Sequence, residues 1–159
     1  MQKKIEYLKT LPKKRIAVGV LLFNDDNQLL VLKPSYKDHW TIPGGVVNEY
    51  ESPIDTAIRE AKEEIGIDIK LSKCLLIDFT KNQLDGFLSE SLQLIFLGEK
   101  ISDDDIKNII IDNDEIIESK FVHFEEALKI LSANTSKRLN RLNGNFEKFV
   151  FMENGIPII

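Results

Sequence analysis

Residues 52–66, SPIDTAIREAKEEIG, constrain the fold more than any other stretch of the chain. Ser52 is a residue type that caps a helix, Pro53 suits the first helical position, and Asp55 follows three residues after the cap. Gly66 can close the helix in a left-handed conformation. The spacing predicts a helix over 53–65 with Ile54, Ala57, Ile58, Ala61 and Ile65 on one apolar face, which must pack on another element. Glu60, Glu63 and Glu64 then share an arc of about 100° beside that face. Like charges at these spacings repel, and acid in the last turn opposes the helix dipole. Together they cost about 1–3 kcal/mol. Arg59 and Lys62 offset only part of this.

What that helix packs against is written on either side of it. RIAVGVLLF (15–23) reads as a buried strand, NDDNQ as a turn and LLVLK (29–33) as the returning strand of a hairpin. PSYKDHWTIPGG (34–45) is a loop, and 46–51 is a short extended piece. Residues 67–81 and 91–101 read as strands joined around Asp85-Gly86, and SDDDIKNIII as a short capped helix. A strand at 118–124 precedes helices at 125–132 and 135–143, and 145–159 form a closing hairpin around Asn154-Gly155. Hairpins are too common here for a purely parallel sheet. The expected fold class is α/β in the α+β sense, a mixed central sheet with helices on both faces. With 159 residues the chain fits one domain, 1–159, with 1–14 as an N-terminal extension.

Charge and composition narrow the function. The net charge of −5 disfavours a dedicated nucleic-acid binder, so a small-molecule partner is expected and nucleic acid is not. The opening MQKKIEYLKTLPKKR has no apolar run for a signal peptide or a membrane span. One cysteine, Cys74, cannot form an internal disulfide, which suits a cytoplasmic setting; in its apolar strand it reads as buried and inert.

An isolated E-x-x-E-E is ordinarily a solvated acidic face. The other reading is a site for a hard cation: Mg²⁺ takes oxygen ligands and pairs carboxylates with substrate phosphates. From Gly45 the sequence runs G, five residues, E, seven residues, R-E, an aliphatic residue, any residue, E-E, any residue, G and an aliphatic residue. This resembles the Nudix box, the signature of the Nudix hydrolase family. All fixed positions match, at Gly45, Glu51, Arg59, Glu60, Glu63, Glu64 and Gly66, and Ala61 and Ile67 fill the aliphatic slots. Chance would produce these matches in about one chain in a few million. WTIPGG ahead of the box resembles the family's entry loop.

The resemblance implies a Nudix-type α/β/α sandwich and an enzyme that cuts within the diphosphate of a nucleoside diphosphate derivative, such as ADP-ribose, a sugar nucleotide or a modified nucleoside triphosphate. It implies Mg²⁺, with Mn²⁺ as a substitute, held by Glu60, Glu63 and Glu64, with a backbone carbonyl of Gly45 or Gly44 as a further ligand. Glu51 and Arg59 would orient those carboxylates. The general base would come from the box, Glu60 or Glu63, or from Glu115, ahead of Glu118 and Glu90. Many members carry glycine where this chain has Tyr50. If the backbone there needs positive φ, tyrosine is strained; alternatively Tyr50 lines the substrate pocket.

Trp40, Lys33 and Phe87 are candidates for substrate contact, with Tyr36 and Lys37 nearby in the same loop. Lys137, Arg138 and Arg141 form a basic helical face expected to be solvated, and His39 and His123, 84 positions apart with no ligand spacing, are assigned no role. The N-terminal segment and the closing hairpin are where a homodimer would be built. Two other functions share this fold. Isopentenyl-diphosphate isomerase calls for a catalytic cysteine ahead of the helix, whereas Cys74 follows it. A non-catalytic nucleotide-binding module usually has a degraded box, whereas this one is intact.

Overall fold

The computed structural model describes residues 1–84, 87–111 and 114–159, with the backbone alone at 82–84 and 87–88. In chain order the elements are α1 (Gln2–Thr10), β1 (Arg15–Leu21), β2 (Leu29–Pro34), α2 (Pro53–Ile65), β3 (Leu71–Leu84), β4 (Phe87–Gly98), α3 (Asp103–Lys107), β5 (Ile116–Val122), α4 (Phe124–Ile130), α5 (Ala133–Asn140), β6 (Val150–Glu153) and β7 (Ile156–Pro157). A five-stranded mixed sheet runs β1-β4-β3-β6-β7, and β2 pairs with β5 in a second sheet. The Asp85-Gly86 connection lies outside the described residues. No helix is long and apolar enough to cross a membrane among the described residues.

The alternation of apolar residues along each strand makes two cores, one on each face of the sheet. Val18, Val20, Leu22 and Phe96 face Ala57, Ala61 and Ile65 of α2. Leu21, Ile95, Leu76 and Met152 face Ala127 of α4 and Leu139 of α5. Helices therefore cover both faces, as the sequence predicts.

The expected hairpin between 15–23 and 29–33 closes only at its tip. Phe23 bridges Leu29, and the Asn24 side chain accepts from the Gln28 amide at 2.8 Å. Beyond that turn the strands part: β1 pairs in parallel with β4, and β2 antiparallel with β5. The reason lies on the other edge of β1. Residues 43–47 run along it, with Val20 N–H donating to Pro43 O at 2.8 Å, Val18 N–H to Gly45 O at 2.8 Å and Val47 N–H to Ile16 O at 2.9 Å. Both edges of β1 are thus filled, and none is left for β2.

Helix α2 occupies the predicted residues. Ser52 Oγ accepts from Asp55 N–H, and Gly66 ends the helix at φ 75°. Its apolar face differs from the expected one at the first turn: Ile54 is exposed and Thr56 is buried in its place. Thr56 Oγ donates to the Ser52 carbonyl at 3.0 Å, which satisfies the hydroxyl and lets it turn inward. The N-terminal extension forms α1, a helix with no buried residue.

Candidate active site

The 43–47 loop brings two glycines against the acidic side of α2. Gly44 has φ 144°, and a β-carbon there would overlap the Val18 carbonyl, so only glycine fits between loop and strand. Its N–H donates to Glu64 Oε2 at 2.9 Å. A β-carbon at Gly45 would overlap the Glu60 carboxylate. One backbone thus seats two of the three glutamates.

The glutamates differ in environment. Glu64 is 8% exposed. Burial pushes its carboxyl up to about 8; the Gly44 N–H opposes this, the charges of Glu60 and Glu115 add to it, and Lys37 opposes it. Glu60 is partly buried, at 17% side-chain exposure, and Glu63 is open at 58%. Arg59 gathers the cluster. Its Nε and Nη2 grip Glu51 at 2.7 and 3.0 Å, and Nη1 reaches Glu60 and Glu63, each at 2.9 Å. The hydrogen bond from Arg59 holds the Glu51 carboxyl down at about 2, and the same bond raises the Arg59 guanidinium above its ordinary range. Among the described residues no three acidic, histidine or cysteine side chains already converge as a metal cage, and Arg59 is the countercharge for two of the three glutamates instead. The donor set is nonetheless of the kind a hard cation takes: carboxylate oxygens at graded exposure beside a glycine backbone. The Gly45 carbonyl already accepts from Val18 N–H and keeps a second lone pair.

The remaining candidates are spread around this cluster. Glu115 is exposed, and its charge reaches Glu64. Its carbonyl accepts from Ser35 N–H at 2.8 Å, which ties the segment before β5 to the entry loop. Lys37 also reaches Glu64 electrostatically, and Lys33 Nζ, at the end of β2, donates to the Lys37 carbonyl at 2.9 Å, which ties the loop to the strand. Trp40 packs half-buried against the core with Lys120 Nζ 4.3 Å above its ring. The Phe87 side chain lies outside the described residues. Glu90 is paired with Lys14, and exposed Glu118 stands opposite Lys33 in the β2–β5 register. Tyr50 has φ 64° and is fully exposed, so the position does take the conformation glycine favours, with the ring in solvent.

A further sequence expectation is overturned. Arg138 is not a solvated surface cation: it is 13% exposed and its Nε donates to Asp78 Oδ2 at 2.6 Å, with Asp78 1% exposed. The aspartate sits in the middle of an apolar strand, and burial there demands a charged partner. Also unforeseen is the Gly44–Glu64 hydrogen bond, because two residues 20 apart meet only through the loop's path along β1. Arg59 to Glu63, by contrast, is an i, i+4 pair readable from spacing.

The sequence model of the NUDIX domain matches residues 13–142. Nudix hydrolase 8 of Arabidopsis thaliana is 31% identical over 117 residues, 70% of this chain and 30% of that protein. The ADP-ribose pyrophosphatase of Bacillus subtilis is 31% identical over 121 residues, 74% of this chain and 63% of that protein. The chain therefore spans less than two thirds of the length of either curated relative. The crystal structure of the MutT protein from Methanosarcina mazei Go1 superposes with a TM-score of 0.65 at 26% identity, covering 86% of this chain and all of that one.

Proposed function

The chain belongs to the NUDIX domain family, and from that premise we propose that it hydrolyses the diphosphate of a nucleoside diphosphate derivative in the presence of Mg²⁺ or Mn²⁺. The observation that carries this reading is the fit between the 43–47 loop and α2, in which glycines at 44 and 45 let the backbone seat Glu64 and Glu60. Glu60, Glu63 and Glu64, with the free lone pair of Gly45 O, are the atoms that would hold the cation. Charge neutralisation at the phosphoryl oxygens and a more acidic bound water are what the ion supplies there.

The residues divide the remaining work. Glu51 fixes the Arg59 guanidinium through two hydrogen bonds, and Arg59 in turn sets the positions of the Glu60 and Glu63 carboxylates. Glu115 is the proposed proton acceptor, because it is an exposed carboxylate within electrostatic reach of Glu64. In the reaction the water oxygen bonds to phosphorus, the bridging oxygen departs with the other phosphate, and the water proton passes to the carboxylate. Lys33 and Lys37 border the cluster, where they would meet substrate phosphates.

ADP-ribose is the first substrate to test, since the Bacillus subtilis relative named for that activity aligns over 74% of this chain. The test is a panel of ADP-ribose, sugar nucleotides, dinucleoside polyphosphates and oxidised nucleoside triphosphates with Mg²⁺ or Mn²⁺, read as phosphate released after a coupled phosphatase. Metal-dependent release from at least one member, lost in Glu63→Gln, is expected. No release from any of them would overturn the reading.

A further inference from the structure

A cavity of about 260 Å³ opens on the face of the sheet opposite α2, between β3, α5 and the β6–β7 turn. It lies apart from the glutamates. The 43–47 loop borders β1, and β4 and β3 follow, so three strand spacings of about 4.8 Å separate the loop from β3, or about 14 Å. Its volume is several times the roughly 30 Å³ share of one water molecule and below the usual range for a whole small-molecule ligand. It suits a small ion or one end of a larger molecule.

Hydrogen-bond donors dominate its lining. Asn134, Lys137 and Arg138 come from one face of α5, at i, i+3 and i+4. The Arg138 Nε is taken by Asp78, while among the described residues both Nη groups are without a hydrogen bond. Asp78 is spent: Oδ2 accepts from Arg138 and Oδ1 accepts from Gly155 N–H at 2.9 Å. Lys137 Nζ gives one proton to the Asn154 carbonyl at 2.7 Å and keeps two. The first turn of α5 adds the Asn134 side chain and the positive end of the helix dipole, with the Thr135 N–H itself capped by Ser132 Oγ at 3.2 Å. Stability alone does not account for this arrangement, because a buried ion pair is rarely better than neutral against apolar packing. Its geometric effect is to pin the guanidinium by its Nε and leave its other donors open to the cavity.

We propose that this cavity is an oxyanion site that takes a phosphate group between Arg138, Lys137 and the first turn of α5. A guanidinium fork and an ammonium group are the donors that phosphate oxygens match best. The site is independent of the glutamate cluster, and its test requires no hydrolysis. The phosphate has two possible sources, the far end of a nucleotide or free inorganic phosphate.

Metal-free protein in chelator is titrated with inorganic phosphate at constant ionic strength and followed by amide chemical shifts. Saturating shifts at Asn134, Arg138 and Gly155 are expected, with affinity about tenfold weaker in Lys137→Met and in Asn134→Asp. Asn134→Asp places an acid in the first turn of α5, where it suits the dipole, so weaker binding there cannot be blamed on unfolding. Shifts that never saturate, or an affinity unchanged in both variants, would overturn the proposal. Adding a nucleoside diphosphate to the phosphate-loaded protein separates the sources, both of which uphold the site. Displacement assigns it to a phosphate of the nucleotide, and joint binding assigns it to free phosphate.

Discussion

Two neighbouring glycines do different jobs, and substitution separates them. At Gly44 a methyl meets the Val18 backbone in a conformation L-residues rarely adopt, so Gly44→Ala should lower the melting temperature by an amount equivalent to about 2 kcal/mol or more. At Gly45 the obstacle is the end of the Glu60 side chain rather than backbone, so Gly45→Ala should leave the melting temperature nearly unchanged and reduce hydrolysis about a hundredfold by displacing that carboxylate. Parallel melting curves and steady-state rates check the pair. Glu63→Gln should remove metal-dependent hydrolysis by about a hundredfold or more with stability equal or slightly higher, because an exposed charge beside two other carboxylates is lost. At this scale the sequence was informative. Helical spacing placed Glu60, Glu63 and Glu64 on one arc with Arg59 beside Glu63, and the resemblance to the Nudix box supplied their expected roles. It was silent on which glutamate is buried, because Glu64 is covered by Gly44, a residue brought there by tertiary pairing.

Helix α2 and the turn before it form the element on which the site depends. Tyr50 holds φ 64° with its ring in solvent, so it bears the strain of that conformation with no burial in return. Tyr50→Gly should stabilise the fold by about 0.5 kcal/mol, the relief of strain exceeding glycine's entropic penalty, and a denaturant melt measures it. The Glu51–Arg59 grip predicts a pH dependence. Glu51 titrates at about 2 in the folded protein against 4.5 ordinarily. Its contribution is therefore complete above pH 4.5 and is lost as pH falls towards 2. The stability gap between the natural protein and Glu51→Gln should be constant near neutrality and close across that acid window. Helix boundaries were legible because cap, proline and terminal glycine act locally. The parting of β1 from β2 was not, because what excludes β2 is the 43–47 loop, beyond β2 in the chain, lying on β1's edge.

Across the whole molecule, the same carboxylates that destabilise α2 should make the fold sensitive to cations. On the proposed reading Mg²⁺ would bind the folded chain and not the unfolded one, so a tenfold excess over its Kd should add about 1.4 kcal/mol, seen as a higher melting temperature that Glu63→Gln abolishes. On the far side of the sheet, Asp78 joins β3 to α5 and to the β6–β7 turn through Arg138 and Gly155. Asp78→Ala leaves a buried guanidinium without its partner and should cost about 3–5 kcal/mol in urea unfolding. The loop along β1 carries one more consequence. A bare outer strand of a mixed sheet is a template on which other chains can add strands. Here residues 43–47 occupy that position, while the opposite margin ends at β7 with Pro157, which offers no N–H. The segment that seats the glutamates also covers the edge of β1, so damage to it should show in the test tube as turbidity as well as lost turnover.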